Sequence, residues 1–380
     1  MAYTGNTLLT PHIIAQEALI ALEANMVMPT MVHRDYSDEF HNVGDTITVR
    51  KPPIFVAKPF TGSIDPQNIT ETSVDVSLDT LLDVSVELAP TDLTLRLTSF
   101  TEKITMPAMR AIAQAIDTNL CNLYQGIPYF YGTAGRTPNS LLHIASARKV
   151  MNLNWCPMSQ RSLVLDPSAE ASISILEGIV NTEKSGSSEA LREAIIGRIY
   201  GFDTASDQNV AYHTAGIPGG TPTATGSAGN LSVTIAGGGD SGYFNQGDLI
   251  TFAGLTGNPG PMKGDQYVVT ADTPLSIGGA GTLPIYPALT GDITGALVTL
   301  VASHQANLAF HENALGMVTR PLALPAGMEA ISATVQNPQT GIAIRVIYGF
   351  TQATKVQTIS FDCLVGFKVL YPELACRLLG

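Results

Sequence analysis

The string Gly239-Asp240-Ser241-Gly242 has the form of a serine-protease nucleophile loop. A serine nucleophile needs a histidine base within hydrogen-bond reach and a third group to orient that base. None of the seven histidines, His12, His33, His41, His143, His213, His304 and His311, lies in the matching histidine motif, so the string reads as a glycine-rich β-turn. Gly237, Gly239 and Gly242 also have G-x-G-x-x-G spacing after a strand. A dinucleotide site would need a helix next, to bring its N-terminus to the pyrophosphate, but Tyr243-Phe244-Asn245-Gln246-Gly247-Asp248 leads into another strand. The sequence has no phosphate-cradling G-x-x-x-x-G-K-[ST] loop, no calcium loop and no i, i+4 histidine pair beside a carboxylate. No enzyme class, cofactor or metal is therefore expected.

Cys121, Cys156, Cys363 and Cys376 lie far apart with no C-x-x-C pair, and each is flanked by apolar residues. They read as small buried hydrophobes of a reducing compartment. Trp155, beside Cys156 and Pro157, reads as a core residue.

Of the 380 residues, 45% are apolar and only 14% charged, against roughly 25% charged in an average soluble domain. That excludes a disordered chain and leaves ample material for a large core. Twenty basic against 32 acidic residues give a net charge of -12, the wrong sign for a protein whose main task is gripping phosphate backbones. No basic residue precedes Arg34, as a secretory n-region requires. No run approaches the roughly 18 apolar residues that cross a bilayer, so no membrane partner is expected. The chain is expected to act in the cytoplasm or in something assembled there.

The elements that would carry any contact follow from periodicity. Thr10 as N-cap and Pro11 at the first helical position open an amphipathic helix ending near Asn25. Gly44-Asp45-Thr46-Ile47-Thr48-Val49-Arg50-Lys51-Pro52-Pro53 then switches to period two, as do Val74, Val76 and Leu78. These predict an extended hairpin whose outer part, residues 51–71, has too few neighbours to bury both faces within its own chain. A long helix is expected over 99–124, with Pro107 starting or kinking it, and a second helix to about Met151. A buried strand at 161–166 and shorter helices at 169–180 and 188–196 follow. Residues 214–303 hold 19 of the 35 glycines, and Lys263 is the one basic residue between Ile199 and Thr319. Short alternating runs there predict an inserted small barrel or sandwich. Long alternation around 342–371 predicts a sheet that packs on the long helix, which makes the whole an α+β protein.

Several blocks together resemble the major coat protein family of P22-type tailed bacteriophages. They are Asn6-Thr7-Leu8-Leu9-Thr10-Pro11, Arg34-Asp35-Tyr36, Glu39-Phe40 and the Gly44 to Pro52 run. Gly197-Arg198-Ile199-Tyr200-Gly201-Phe202-Asp203 resembles the segment leading into that family's insertion, and Gln246-Gly247-Asp248-Leu249-Ile250-Thr251-Phe252 and Tyr267-Val268-Val269-Thr270 resemble strands within it. Leu308-Ala309-Phe310-His311-Glu312-Asn313-Ala314 and Gly366-Phe367-Lys368-Val369-Leu370-Tyr371-Pro372 resemble later blocks.

The resemblance implies an HK97-like capsid fold with an inserted β-rich domain. It would comprise an N-terminal arm (1–40), an extended loop (41–90), a peripheral domain on a spine helix (91–130 and 320–380), an axial domain (131–213 and 304–319) and the insertion (214–303). It further implies a virion protein, assembled in the bacterial host cytoplasm, that forms hexamers and pentamers of an icosahedral shell. The implied partners are copies of itself, a scaffolding protein, a portal protein at one vertex, and packaged DNA in weak contact. Candidate intersubunit contacts are Leu8 and Ile13 on the arm, Arg34 and Asp35 after it, and Arg50, Lys51, Lys58 and Phe60 on the hairpin. The competing reading is a β-rich surface- or carbohydrate-binding module on a helical support, which would need clustered exposed aromatics on the insertion.

Overall fold

The structure, a computed structural model, describes residues 11–34, 46–51, 72–88, 101–181, 183, 192–194, 196–237, 241–255, 266–276, 278–322, 331–337, 341–351 and 356–380. Leu8, Asp35, Lys58 and Phe60, the hairpin tip at 52–71 and most of the expected helix at 188–196 lie outside these residues. The chain divides into two compact units.

The first unit comprises Met1–Asn25, Arg34–Ala113 and Met317–Leu370. Helix α1 spans Pro11–Asn25 and ends where the apolar spacing places it; the expected N-cap, Thr10, lies outside the described residues. Its buried face, which includes Ile14, Ala18, Leu19 and Leu22, meets strands Ile331–Gln336 and Ala343–Thr351. The arm helix thus spends its apolar stripe on its own chain, and Asn337 Nδ2 donates to Glu23 Oε1 at 2.7 Å near its C-terminal end. Those strands belong to a five-stranded sheet centred on the long strand Val356–Val369. Thr80–Leu88 and Ala343–Thr351 both pair antiparallel with it. Ile359 and Phe361 are buried with half-buried Ser360 between them, and from Phe361 to Gly366 every residue is buried, so this part of the strand is covered on both faces.

Thr46–Lys51 and Thr72–Ser77 form a two-stranded antiparallel ribbon with Val49 opposite Val74 and Ile47 opposite Val76. Its root is anchored: Val76 and Leu78 are fully buried, and Thr72–Ser77 contacts the long strand. Thr46, Thr48, Ser73 and Asp75 on the other face are exposed.

The long helix passes through three forms. A π-helical turn at Thr101–Thr105 leads into α2 (Met106–Asn122), and a 3-10 turn at Leu123–Gly126 ends it. Pro107 sits at the second α-helical position and cannot donate to the turn before it, and the π-helical stretch lies where that α-helical bond is missing. The division between units falls within α2, after Ala113.

The second unit comprises Met26–His33, Gln114–Gly316 and Tyr371–Gly380. Its mixed sheet runs in the order Phe130–Tyr131, Ala375–Leu378, Asn307–His311, Arg161–Leu165, Phe202–Ser206, Arg198–Ile199. Helix α3 (Leu141–Leu153), N-capped by Ser140, covers it with Ile144, Ala147, Val150 and Met151. Pro167 ends the preceding strand by starting α4 (Pro167–Ser174), which Asp166 caps at Ser168 N and Ala169 N.

Residues 371–380, expected with the peripheral part, instead complete this second sheet. The 3-10 turn Pro372–Leu374 breaks the long strand's run. Ala375–Leu378 then pairs antiparallel with Asn307–Phe310 and parallel with Phe130–Tyr131.

The glycine-rich region forms a closed six-stranded barrel rather than a sandwich. Its order is Ser232–Ala236, Gly281–Tyr286, Tyr267–Val269, Leu249–Phe252, Ile293–Leu300, Thr223–Gly226, and back to the first strand. Phe252 and Tyr267 pack inside with ring centroids 5.1 Å apart, alongside Phe244, Leu283 and Ile285. Closure removes sheet edges that would otherwise invite unwanted pairing.

Candidate functional site

The candidate contacts are not gathered into one site. Ile13 is exposed on α1, on the face that also leaves Ile20 in solvent. Arg34 is half-buried; Lys51 is half-buried at the outer end of the ribbon opposite Thr72, and Arg50 is paired with Ser73 one step inward. Arg50 and Lys51 share one strand, Ile13 lies on α1, and Arg34 lies in the segment that follows it.

Ser241 is exposed and is followed by strand Gly242–Phe244, paired with Thr273–Leu275. The backbone there continues as a strand, so no helix N-terminus faces a dinucleotide. Among the described residues, no group of three His, Cys, Asp or Glu could hold a metal ion, and no helix is long and apolar enough to cross a membrane.

The strongest concentration of polar chemistry joins the barrel to its support within the second unit. Asp248, fully buried, accepts from Asn245 N at 2.8 Å, from Gly216 N at 3.2 Å and from His213 Nε2 at 2.9 Å. Tyr124 OH lies 2.9 Å from His213 Nδ1. Burial raises the Tyr124 pKa, so the phenol keeps its proton and donates it to Nδ1, leaving Nε2–H to donate to Asp248. Arg377, also fully buried, donates from Nη1 to Gly247 O at 2.8 Å and places its guanidinium 4.8 Å from the Tyr124 ring centroid. Burial lowers its pKa to about 9, which still leaves it charged at neutral pH, with Asp248 as its nearby counter-charge. His304 donates to Ala302 O, and burial holds its pKa down to about 4, so it adds no second cation beside Arg377.

A hydroxyl, an imidazole and a carboxylate in series have the connectivity of a nucleophile-activating relay. Here Tyr124, His213 and Asp248 are all closed to solvent, so no substrate reaches the hydroxyl. The arrangement is a latch rather than a catalytic site. Sequence reading missed it because its members come from residues 124, 213, 248, 304 and 377; Asp248 itself reads as an ordinary turn residue, after Gln246-Gly247 and just before strand Leu249–Phe252.

A second buried carboxyl sits on α2. Asp117 accepts from Val27 N at 3.2 Å and Met28 N at 3.1 Å, and so ties the segment after α1's last residue to the long helix. Burial, with Asp207 beside it, raises its pKa from 3.8 to about 7. A carboxyl with a raised folded pKa favours the fold while protonated; that contribution is full below about pH 4 and is lost as pH climbs through about 7. Asp117→Asn cannot ionise. In urea unfolding it is expected to gain on the wild type by about 2 kcal/mol between about pH 4 and pH 8, and a constant difference across that range would contradict the assignment.

On the outward face of the first unit's sheet, Asp83, Asp362 and Arg345 form a row across three strands. Arg345 bonds Asp362 through Nε at 3.0 Å and also through Nη2. Burial, together with the Asp83 carboxyl beside it, raises the Asp362 pKa. Burial acts against ionisation of Asp83 too, but hydrogen bonds from Ser360 and other neighbours outweigh it and lower its pKa. Arg345 pairs with Asp362, while Asp83 is held by the Ser360 and Ser85 hydroxyls, so the row is a cross-strand polar network built around one ion pair.

A groove of about 570 Å³ is lined by Thr133, Arg136, Thr137, Asn139, His143 and Ser172. Ser172 Oγ donates to Ser168 O and His143 Nδ1 accepts from Asn139 N, so both candidate reactive atoms are engaged by backbone.

No protein-family model matches the chain, and no curated protein matches it. Solved structures do. A chain of Mycobacterium phage Che8 superposes with a TM-score of 0.54 at 13% identity, covering 93% of this chain and 90% of that one. The capsid of cyanophage P-SCSP1u gives 0.52 at 12% identity, covering 93% and 88%. The capsid of Ralstonia phage GP4 gives 0.50 at 10% identity, covering 94% and 90%. The chain has the fold of phage capsid proteins. At such identities the likeness resides in the path of the backbone, and the capsid fold here carries the ribbon, the long helix and both sheets.

Trp155, expected in the core, is in solvent at the end of α3. The backbone there is left-handed, and the interior position is taken by Arg161.

Proposed function

We propose that this chain is the major capsid protein of a tailed phage, and that its copies form hexamers and pentamers closing into an icosahedral shell around double-stranded DNA. The likeness to capsid structures over at least 93% of the chain carries the reading. The ribbon supports it: the root is buried in its own unit, while Arg50 and Lys51 lead outward toward residues 52–71. In this reading the extended loop lies on a neighbouring subunit and pairs its basic residues with acidic ones there. The barrel is the inserted domain, and the latch of Asp248, His213, Tyr124 and Arg377 fixes it to the axial part. Low overall charge suits broad subunit contacts, whose centres are depleted of ionic groups. Many modest contacts then hold the shell by avidity.

Scaffolding protein during assembly, a portal protein at one vertex and weak contact with packaged DNA complete the proposal, with the virion as the place of action. The competing binding-module reading needs clustered exposed aromatics on the barrel. Phe244, Phe252 and Tyr267 are instead interior, and Tyr243 is the exposed one among the described residues there.

Replacing residues 52–71 by a short turn tests the role of the loop. The expected product is a folded, soluble subunit that no longer yields closed shells; normal shells from it would remove the loop as an intersubunit clasp.

A further inference from the structure

Trp155 is the chain's single tryptophan, and it is 85% exposed. Its φ of 59° lies in the left-handed region, which costs a bulky L residue about 1–2 kcal/mol. The conformation is held from beneath. Arg161, 1% exposed, donates from Nε to Pro157 O at 2.6 Å and from Nη2 to Cys156 O and Asn152 Oδ1, each at 2.7 Å. A buried guanidinium thus fixes the loop that carries Trp155. Met158 is exposed in the same loop, and no residue from Asn154 to Gln160 is charged. A rigid aromatic and a thioether presented outward on an uncharged loop have the composition of an interface anchor.

The opposite end of α3 offers a complement. The helix has 13 residues, which separates its ends by about 20 Å. There Leu142, next to His143, and Ile175, at the C-terminal end of α4 three residues after Ser172, are exposed, and His143 and Ser172 line one groove. Charge matches as well. Glu312 accepts from Gln160 Nε2 at 2.7 Å beside the loop, while exposed Arg136 lines the groove.

We propose that the Trp155–Met158 knob of one copy docks on the Leu142–Ile175 corner of the next, with Glu312 facing Arg136 across the contact. This rests on the capsid reading and adds to it the surface that joins neighbours within a ring. Knob and corner lie at different places on the subunit, so the contact is head-to-tail and repeats around a closed ring; it cannot form an isologous dimer. The uncharged knob forms its centre and the ion pair its rim.

Because Trp155 is the only tryptophan, its fluorescence reports the contact directly. In the isolated subunit, iodide should quench it fully. In assembled rings or shells the emission should shift to the blue and lose most of its quenching. Trp155→Ala should weaken self-association by about thirtyfold, the loss of a typical hot spot. Ile175→Asp, which leaves the reporter in place, should impair assembly and leave Trp155 quenchable. Assembled shells with Trp155 as quenchable as in the monomer would overturn the docking while leaving the capsid reading intact. Protection that appears only when a second protein is added, without self-association, would assign the knob to that partner and overturn the proposal too. A wild-type chain that never assembles, with scaffold present, would remove the capsid reading and this contact with it.

Discussion

Asp248→Ala is expected to destabilise the second unit by about 3 to 5 kcal/mol in denaturant unfolding. Asp248 is fully buried and satisfies Asn245 N, Gly216 N and His213 Nε2, while countering the charge of Arg377. Alanine would leave three buried donors without an acceptor and a buried cation without its opposite charge. The loss should be felt where the barrel joins its support, because Gly216, Asn245 and Gly247 border the barrel strands while Tyr124 and Arg377 belong to the long helix's end and the last strand. Asp248→Asn keeps one acceptor but not the charge, and should fall between the two. An alanine variant within about 1 kcal/mol of the wild type would show that the latch carries little.

Gly366→Ala should be nearly as severe, at about 3 kcal/mol or more. A Cβ at Gly366 would collide with the Ser77 carbonyl and approach Leu78 Cα at 3.4 Å. Both sides of that contact are backbone, so neither a rotamer change nor a flexible tip can relieve it. Leu78 is buried at the ribbon's root, and the chain there turns from Thr72–Ser77 into Thr80–Leu88 directly over the long strand. The substitution should therefore loosen the ribbon before it unfolds the sheet. Proteolysis at the ribbon root, with near-native circular dichroism, would reveal this. Unchanged protease resistance and unchanged stability would contradict it.

Elements whose periodicity is local were legible. Pro11 and the apolar spacing placed α1, and the spacing through Ile112, Ile116 and Leu120 placed α2. Leu163-Val164-Leu165 announced a strand that is buried throughout. Alternation at Val233 and Ile235 marked a barrel strand. Barrel closure was not legible, because the strand that completes it, Thr223–Gly226, reads Thr-Ala-Thr-Gly and has no apolar rhythm of its own. Its place is decided by pairing with Ser232–Ala236 on one side and Ile293–Leu300 on the other.

Trp155 and Arg161 inverted the usual assignment of aromatic inside and cation outside. Carbonyls of the intervening loop and the Asn152 side chain take up the guanidinium, and the left-handed backbone at Trp155 carries the indole into solvent. The last ten residues followed no earlier period because Pro372 ends one strand and a distant pair of partners begins another. Gly366 lay in a recognised block, yet only the fold supplies the reason for glycine there. Of the candidate contacts, Ile13, Arg34, Arg50 and Lys51 are among the described residues.

The most direct test is electron microscopy of the full chain, expressed alone and with a candidate scaffolding protein, after sedimentation separates subunits from assemblies, with the variant lacking 52–71 prepared in parallel. The capsid account predicts closed shells, or curved sheets and spirals where scaffold is absent, and no closed shells from the variant. A monodisperse monomer under every condition, scaffold included, would contradict it.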